Sequence, residues 1–275
     1  MKEDLKRLIK SNYVHLDVYI NQNCNLNCKS CIRCAPLYEY AEYPLDVFER
    51  DLKRLKDIGI KFGVSLNGGE PLLNKHLFDY LKISVKYADH TQINTNTILI
   101  PHLSQEILNF ISDNNVQFIL TFYPNCNNKE KIIKYLEKNN ITYTVFNNLL
   151  TNLYSFSDKL VFQYNRLCER RCNPKYAFDN CMEAVGAIWD GKFYICGKPI
   201  ISKKLNEKYG TNFEITEDDY LDIYKINSIS DFTEFYKKAK HFCGYCRDKI
   251  RPVKENTFEW SNKHNADLKI EFVES

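Results

Sequence analysis

No stretch of this 275-residue sequence stays apolar for the roughly 20 residues that a bilayer-crossing helix needs. The opening residues, Met1 to Lys10, are charged throughout and carry no secretion signal. A soluble, cytoplasmic protein without a membrane partner is therefore expected. An excess of one charge is also missing. The 38 Lys and Arg residues against 35 Asp and Glu leave a net +3, which lacks the concentrated positive field that a nucleic-acid backbone demands, so no obligatory nucleic-acid partner is expected. Internal repeats, low-complexity tracts and coiled-coil heptads are absent, which excludes solenoid and fibrous architectures. No His–carboxylate constellation marks a general base: His15 falls inside the first expected strand and His241 beside Cys243. The length suits one sizeable core with at most a small appendage.

What is abundant is cysteine. Eleven in a chain without a secretion signal argue for metal ligation rather than a disulfide framework, because the cytosol keeps thiols reduced. Cys24, Cys28 and Cys31 form one group, and Cys181, Cys196, Cys243 and Cys246 a second. Cys34, Cys126, Cys168 and Cys172 remain unassigned. A cubane iron-sulfur cluster normally takes four thiolates, so the compact first trio can hold one while leaving an iron open. The other reading is an inert zinc site closed by Cys34. Farther on, Asn67-Gly68-Gly69-Glu70-Pro71 ends an apolar run. Its glycines permit close backbone approach to a ligand, and Glu70 offers a carboxylate to a cationic group.

Periodicity predicts alternating strands and helices over the first 150 residues, hence an α/β fold with a parallel sheet. Strands are expected at Val14 to Ile20, Phe62 to Leu66, Thr91 to Asn94, Val116 to Phe122 and Ile141 to Phe146, with Leu160 to Tyr164 a candidate last one. Helices are expected to carry Phe48, Leu52, Leu55 and Ile58 before Gly59; Leu77, Leu81 and Val85 after an Asn74 cap; a segment capped by Ser104; and Lys129 to Lys138, with Ile132, Ile133 and Leu136 inward. Both motifs follow strands, so both belong at the carboxyl ends where α/β enzymes collect their chemistry. Ala184 to Trp189, Asp190-Gly191 and Lys192 to Cys196 read as a β-hairpin that brings Cys181 and Cys196 together. Thr216 with Asp219 and Ser230 then start short helices, the second bearing Phe232, Phe235 and Ala239 before Cys243xxCys246.

Together the CxxxCxxC trio and the downstream GGEP resemble the radical S-adenosylmethionine (radical SAM) superfamily, in that order and over the first half of the chain. The resemblance implies an α/β partial (β/α)6 TIM-like barrel in residues 1–165, with a connecting segment to about 180. It implies a SAM-binding 4Fe-4S cluster on Cys24, Cys28 and Cys31, S-adenosylmethionine on the open iron, and the methionyl amino group at Gly68, Gly69 and Glu70. Thr95-Asn96-Thr97 falls where many relatives carry Thr-Asn-Gly, making Asn96 a cofactor or substrate contact or only a turn residue. The spacing of Cys181, Gly191, Cys196 and Cys243xxCys246 resembles the twitch extension, a shortened relative of the SPASM domain. That implies a small α+β domain at 181–250 with one auxiliary 4Fe-4S cluster, followed by a tail at 251–275. A zinc ribbon shares this spacing, and Cys168 or Cys172 can replace a ligand.

The resulting expectation is a radical SAM enzyme oxidising or epimerising a small polar substrate such as a sugar, aminocyclitol or nucleotide-linked derivative. Flavodoxin or ferredoxin is its expected reducing partner. Cys126 and Cys34 are candidate hydrogen donors, or loop cysteines without a chemical role. Tyr38, Tyr40 and Tyr43 are candidates for the pocket mouth, and Arg166, Glu169, Arg170 and Arg171 for an anion contact or a solvated connection. The core is expected to start at about Val14, and no N-terminal peptide-recognition domain is expected before it. The rival readings are radical modification of a ribosomally made peptide and a non-catalytic iron-sulfur or zinc protein.

Overall fold

Val14, Leu16, Val18 and Ile20 alternate along the first strand and are all buried on one face. Phe62, Val64 and Leu66 do the same on the second, so two strands present one continuous apolar surface for helices to cover. A computed structural model describes residues 13–26, 33, 35, 42–123, 128–146, 173–181 and 185–246. In chain order, β1 is Tyr13–Asn21, α1 Leu45–Asp57, β2 Lys61–Gly68, α2 Leu77–Tyr87, β3 His90–Thr95, α3 Gln105–Asp113, β4 Gln117–Leu120, α4 Lys129–Lys138 and β5 Tyr143–Val145. There follow α5 Pro174–Asp179, β6 Ala187–Trp189, β7 Lys192–Tyr194, α6 Lys198–Tyr209, β8 Tyr220–Asp222 and α7 Ile229–Tyr236.

The expected α/β class and parallel sheet are present. The strands form one sheet in the order β5-β4-β3-β2-β1-β6-β7-β8. Pairing is parallel from β5 through β1 to β6, and antiparallel from β6 to β8. Helix α1 runs from Leu45 to Asp57 and buries Phe48, Leu52 and Leu55, and Gly59 ends the turn at φ +74°. Ser104 caps α3 by accepting from Ile107 N. Helix α4 has the expected bounds and buries Ile132 and Leu136, with Ile133 half-buried.

Several local expectations are corrected. Asn74 does not cap α2, which starts after His76. Its side-chain Oδ1 instead accepts from His76 N at 2.7 Å and its Nδ2 donates to Ile20 O at 2.7 Å, tying the turn to β1. Helix α7 is capped by Ser228, not Ser230, because Asp231 completes a capping box there, and the helix stops before Ala239. Helix α6 goes beyond the expected elements: Gly197 and Pro199 at its start suit a loop, but proline equally fits a helix's first turn. Leu160 to Tyr164 lies outside the described residues.

The hairpin expected in a separate domain joins the main sheet. Asp17 of β1 pairs with Ala187 of β6, and Asp17 N donates to Gly186 O at 2.7 Å. Its Asp190-Gly191 turn has both residues left-handed, at φ 47° and 71°, as a two-residue turn matching the strand twist requires. Buried Asp51 of α1 fastens this turn to the core, accepting from Gly191 N at 2.6 Å and from the hydroxyls of Tyr43 and Tyr224. Tyr43 is accordingly no pocket-mouth residue. It is fully buried, with its ring 4.7 Å from Trp189. Beyond the hairpin, Ile201, Leu205, Phe213, Phe242 and Tyr245 form a small core of their own.

Candidate functional site

Three strand ends meet at one place. After β1 the chain continues through Asn23 to Cys24, after β2 through Gly68, Gly69 and Glu70, and after β3 through Thr95 and Asn96. The double glycine is dictated by contact with the cysteine segment. A Cβ on Gly68, whose φ is +145°, would lie 1.7 Å from Asn21 O, and one on Gly69 would lie 2.2 Å from Asn23 O. Only glycine allows this approach, which Gly69 N and Glu70 N complete by donating to Asn21 O and Asn23 O at 3.1 and 2.8 Å. The glycines thus position the loop that carries Cys24.

Glu70 is 1% exposed, and its carboxylate accepts from Leu72 N at 3.1 Å, Thr95 Oγ1 at 2.8 Å and Asn96 N at 2.8 Å. Burial pushes its pKa up to about 7 despite these donors. The side chain therefore staples β2 to β3 within the protein. Asn96 in turn donates to Asn25 Oδ1 at 2.7 Å and approaches Cys24 Sγ at 3.8 Å, while Leu26 N points at the same sulfur at 3.4 Å. N–H groups aimed at a sulfur favour its thiolate, the form that ligates iron. Asn21 Oδ1, packed against Gly68, is a buried acceptor without a partner among the described residues. The donor set around Cys24 fits a thiolate-ligated cluster beside a site for a hydrogen-bond donor.

Thr97 holds φ +72°, a left-handed conformation that a β-branched residue adopts only under constraint. Glycine adopts it freely. Cys24, Glu70 and Asn96 are thus brought together. Cys28, Cys31, Cys34, Cys126, Cys168, Cys172, Tyr38, Tyr40 and the Arg166 to Arg171 stretch lie outside the described residues.

Sequence reasoning missed a polar row on the sheet face opposite the helices, made of Asp17, Ser65, Asn67, Gln92 and Asn94. Arg33, two residues beyond Cys31, donates to Asp17 Oδ2 at 2.7 Å and also bonds Tyr19 Oη. The signal was available. Polar residues recur at every second position in Asp17-x-Tyr19-x-Asn21, Ser65-x-Asn67 and Gln92-x-Asn94-x-Asn96, within strands whose other face is apolar.

The second cysteine set lies within mutual electrostatic range. Cys181 follows α5, Cys196 follows β7, and Cys243 and Cys246 flank the last turn, where Cys246 N donates to Cys243 O at 3.0 Å. Burial pushes the Cys196 thiol up to about 12, and Cys181 and Cys243 add to that rise while Lys198 opposes it. Cys246 is raised mainly by burial and feels the same neighbours. Yet among the described residues no three His, Cys, Asp or Glu side chains form a group that could hold a metal ion. His241 turns to Asp219 and Glu214, at 3.6 and 3.9 Å, so it flanks the set. No described helix is long and apolar enough to cross a membrane.

Residues 18–207 match the sequence profile of the family described as the Radical SAM superfamily. A 97-residue stretch is 32% identical to a probable GTP 3',8-cyclase of Thermoplasma volcanium, covering 34% of this chain and 28% of that protein. The match thus spans little more than a quarter of that relative's length. The solved structure of BtrN in complex with AdoMet and 2-DOIA is similar over 90% of this chain and 98% of its own, at 16% identity and a TM-score of 0.50. Native anSMEcpe with bound AdoMet is similar over 91% of this chain and 93% of its own, at 14% identity and a TM-score of 0.51. At such identities the likeness is one of fold.

Proposed function

Because this chain belongs to the radical SAM superfamily, whose members bind a 4Fe-4S cluster and S-adenosylmethionine, we propose that it oxidises or epimerises a small polar substrate at a carbon–hydrogen bond. When bound, that pair supplies a 5'-deoxyadenosyl radical able to remove a hydrogen atom from substrate. Cys24, Cys28 and Cys31 hold the cluster in this reading. Glu70 acts by positioning: its three hydrogen bonds hold Asn96 against the Cys24 loop. Asn21 Oδ1 and the backbone around Gly68 remain to receive the amino group. Cys181, Cys196, Cys243 and Cys246 hold an auxiliary 4Fe-4S cluster, supported by thiols in mutual electrostatic range. Cys34 and Cys126 stay candidate hydrogen donors, and a flavodoxin or ferredoxin is the electron source.

The observation that carries this reading is the convergence of Cys24, the Gly68–Glu70 turn and Asn96 at three adjacent strand ends, held by hydrogen bonds of 2.7–3.1 Å. Its test is 5'-deoxyadenosine production from S-adenosylmethionine by anaerobically reconstituted, reduced protein. Production is expected in the wild type and not in Cys28→Ala. A confirmed, reducible cluster that never cleaves S-adenosylmethionine would point to electron transfer instead.

A further inference from the structure

Gly197 is a glycine for a reason its own backbone does not give. At φ −76° it precedes α6 in a conformation open to any residue. A Cβ there would nevertheless lie 1.6 Å from Tyr19 Oη and 2.6 Å from Cζ of the same ring. The start of α6 is therefore pressed onto the tip of one β1 side chain. Tyr19 is 2% exposed and packs with Ala187, Tyr194 and Ile200 in a small core shared by β1, the hairpin and α6. Cys196 and Lys198 lie within electrostatic range of its hydroxyl.

The same hydroxyl is taken by the first cysteine region. Arg33, two residues beyond Cys31, donates to Tyr19 Oη through one guanidinium nitrogen and to Asp17 Oδ2 through the other, the latter at 2.7 Å. Its Cζ stands 4.7 Å from the centre of the Tyr19 ring. Asp17 is itself fixed, since Asn67 Nδ2 donates to its Oδ1 at 2.7 Å and its own N donates to Gly186 O at 2.7 Å. A planar fork bonded to two fixed acceptors has one orientation, which a lysine's point charge would not have. Contacts therefore run without a break from the chain just past Cys31, through Tyr19, to the residue that follows Cys196.

We propose that Tyr19 is a positioning residue for the first cysteine loop: it receives Arg33 on a hydroxyl that the start of α6 presses against, and so makes the setting of that loop depend on the second cysteine region. The inference rests on reading Cys24, Cys28 and Cys31 as the cluster loop. It needs no metal in the second region, because the contacts belong to Gly197 and the ring. The dependence is mechanical. Whatever moves the start of α6 moves the hydroxyl, and a displaced hydroxyl releases one of the two bonds that orient Arg33.

The test is amide hydrogen exchange on the anaerobically reconstituted protein, read at the peptide that carries Cys24 and Arg33, in Tyr19→Phe, Gly197→Ala and the double variant. Tyr19→Phe keeps the ring and its packing but removes the acceptor, so a role in the core alone predicts no change. Each single variant is expected to speed exchange of that peptide roughly tenfold, the scale of one hydrogen bond to a charged group. The double variant is expected to exchange no faster than either, because both changes break the same bond. The electron paramagnetic resonance spectrum of the reduced cluster on the trio is expected to change in Tyr19→Phe with the iron content unchanged. Exchange altered only around α6 in Gly197→Ala, an unchanged peptide and spectrum in Tyr19→Phe, or effects that multiply in the double variant would overturn the proposal. Should Gly197→Ala fail to fold by circular dichroism, Arg33→Met takes its place in the same comparison. Cofactor cleavage is scored separately: its absence from the wild type with the exchange coupling intact overturns the radical reading alone, and cleavage without the coupling overturns only the role of Tyr19.

Discussion

The two cysteine regions solve opposite problems. Around Cys24 the protein gathers polar groups: N–H donors approach the sulfur, Glu70 binds three donors, and two glycines press the backbone of β2 onto the cysteine segment. Around Cys196 and Cys246 it gathers apolar ones, since both thiols are pushed up by burial and the region rests on Phe213, Phe242 and Tyr245. The first environment leaves one buried acceptor, Asn21 Oδ1, without a partner among the described residues. The second is half-buried among apolar side chains.

The largest test of that contrast separates iron from turnover. Cys24→Ala and the pair Cys181→Ala with Cys243→Ala are each expected to lose about one cubane's worth of iron, but only Cys24→Ala is expected to abolish 5'-deoxyadenosine formation. Unchanged iron with lost zinc in the double variant would make the second region a zinc site.

Next in size is Gly69→Ala, whose added carbon meets Asn23 O at 2.2 Å. Overpacking of this kind costs about 3 kcal/mol, to be measured by urea unfolding. An unchanged midpoint would mean that β2 and the cysteine segment do not touch.

Asp51→Asn acts on the other side. It weakens the clamp on Gly191 N and two tyrosine hydroxyls and should cost about 2 kcal/mol. Hydrogen exchange should show lost protection in β6 and β7 with β2 and β3 unaffected. Equal loss in both regions would erase the distinction between them.

The smallest effect is Glu70's pH dependence. Its folded pKa of about 7 lies above the ordinary value of 4.5, so its contribution is full below pH 4.5 and is lost as pH rises through 7. From pH 6 to pH 8 the wild type should lose about 1 kcal/mol more stability than Glu70→Gln. Parallel pH curves would show that the carboxyl ionises as it does in water.

Much of this arrangement was legible in the chain. Helix α4, the Asp190-Gly191 turn and the strand-end placement of both motifs follow from period, turn chemistry and spacing, which are local. The fold class came from alternation, also local. What escaped depends on distant partners. Beside the ligand reading of Gly68 and Gly69, the sequence did not show that they also press against the backbone of Asn21 and Asn23, far earlier in the chain. Glu70 read as a partner for a cation, but Thr95 and Asn96 claim it. Tyr43 read as a candidate for the pocket mouth because its spacing does not reveal Asp51 and Trp189 as its companions. The polar row is visible as alternation, but a polar residue at every second position equally fits a solvent-facing sheet surface.

The sheet's taper bears on how the protein behaves in a crowded solution. Its central strands are long, nine residues in β1 and eight in β2, while the outermost described strands, β5 and β8, have three each. An outer strand is a template on which a foreign strand can add, and a short one offers few unpaired groups. At those two margins the described sheet therefore offers little for a second, thiol-rich copy of the chain to add to.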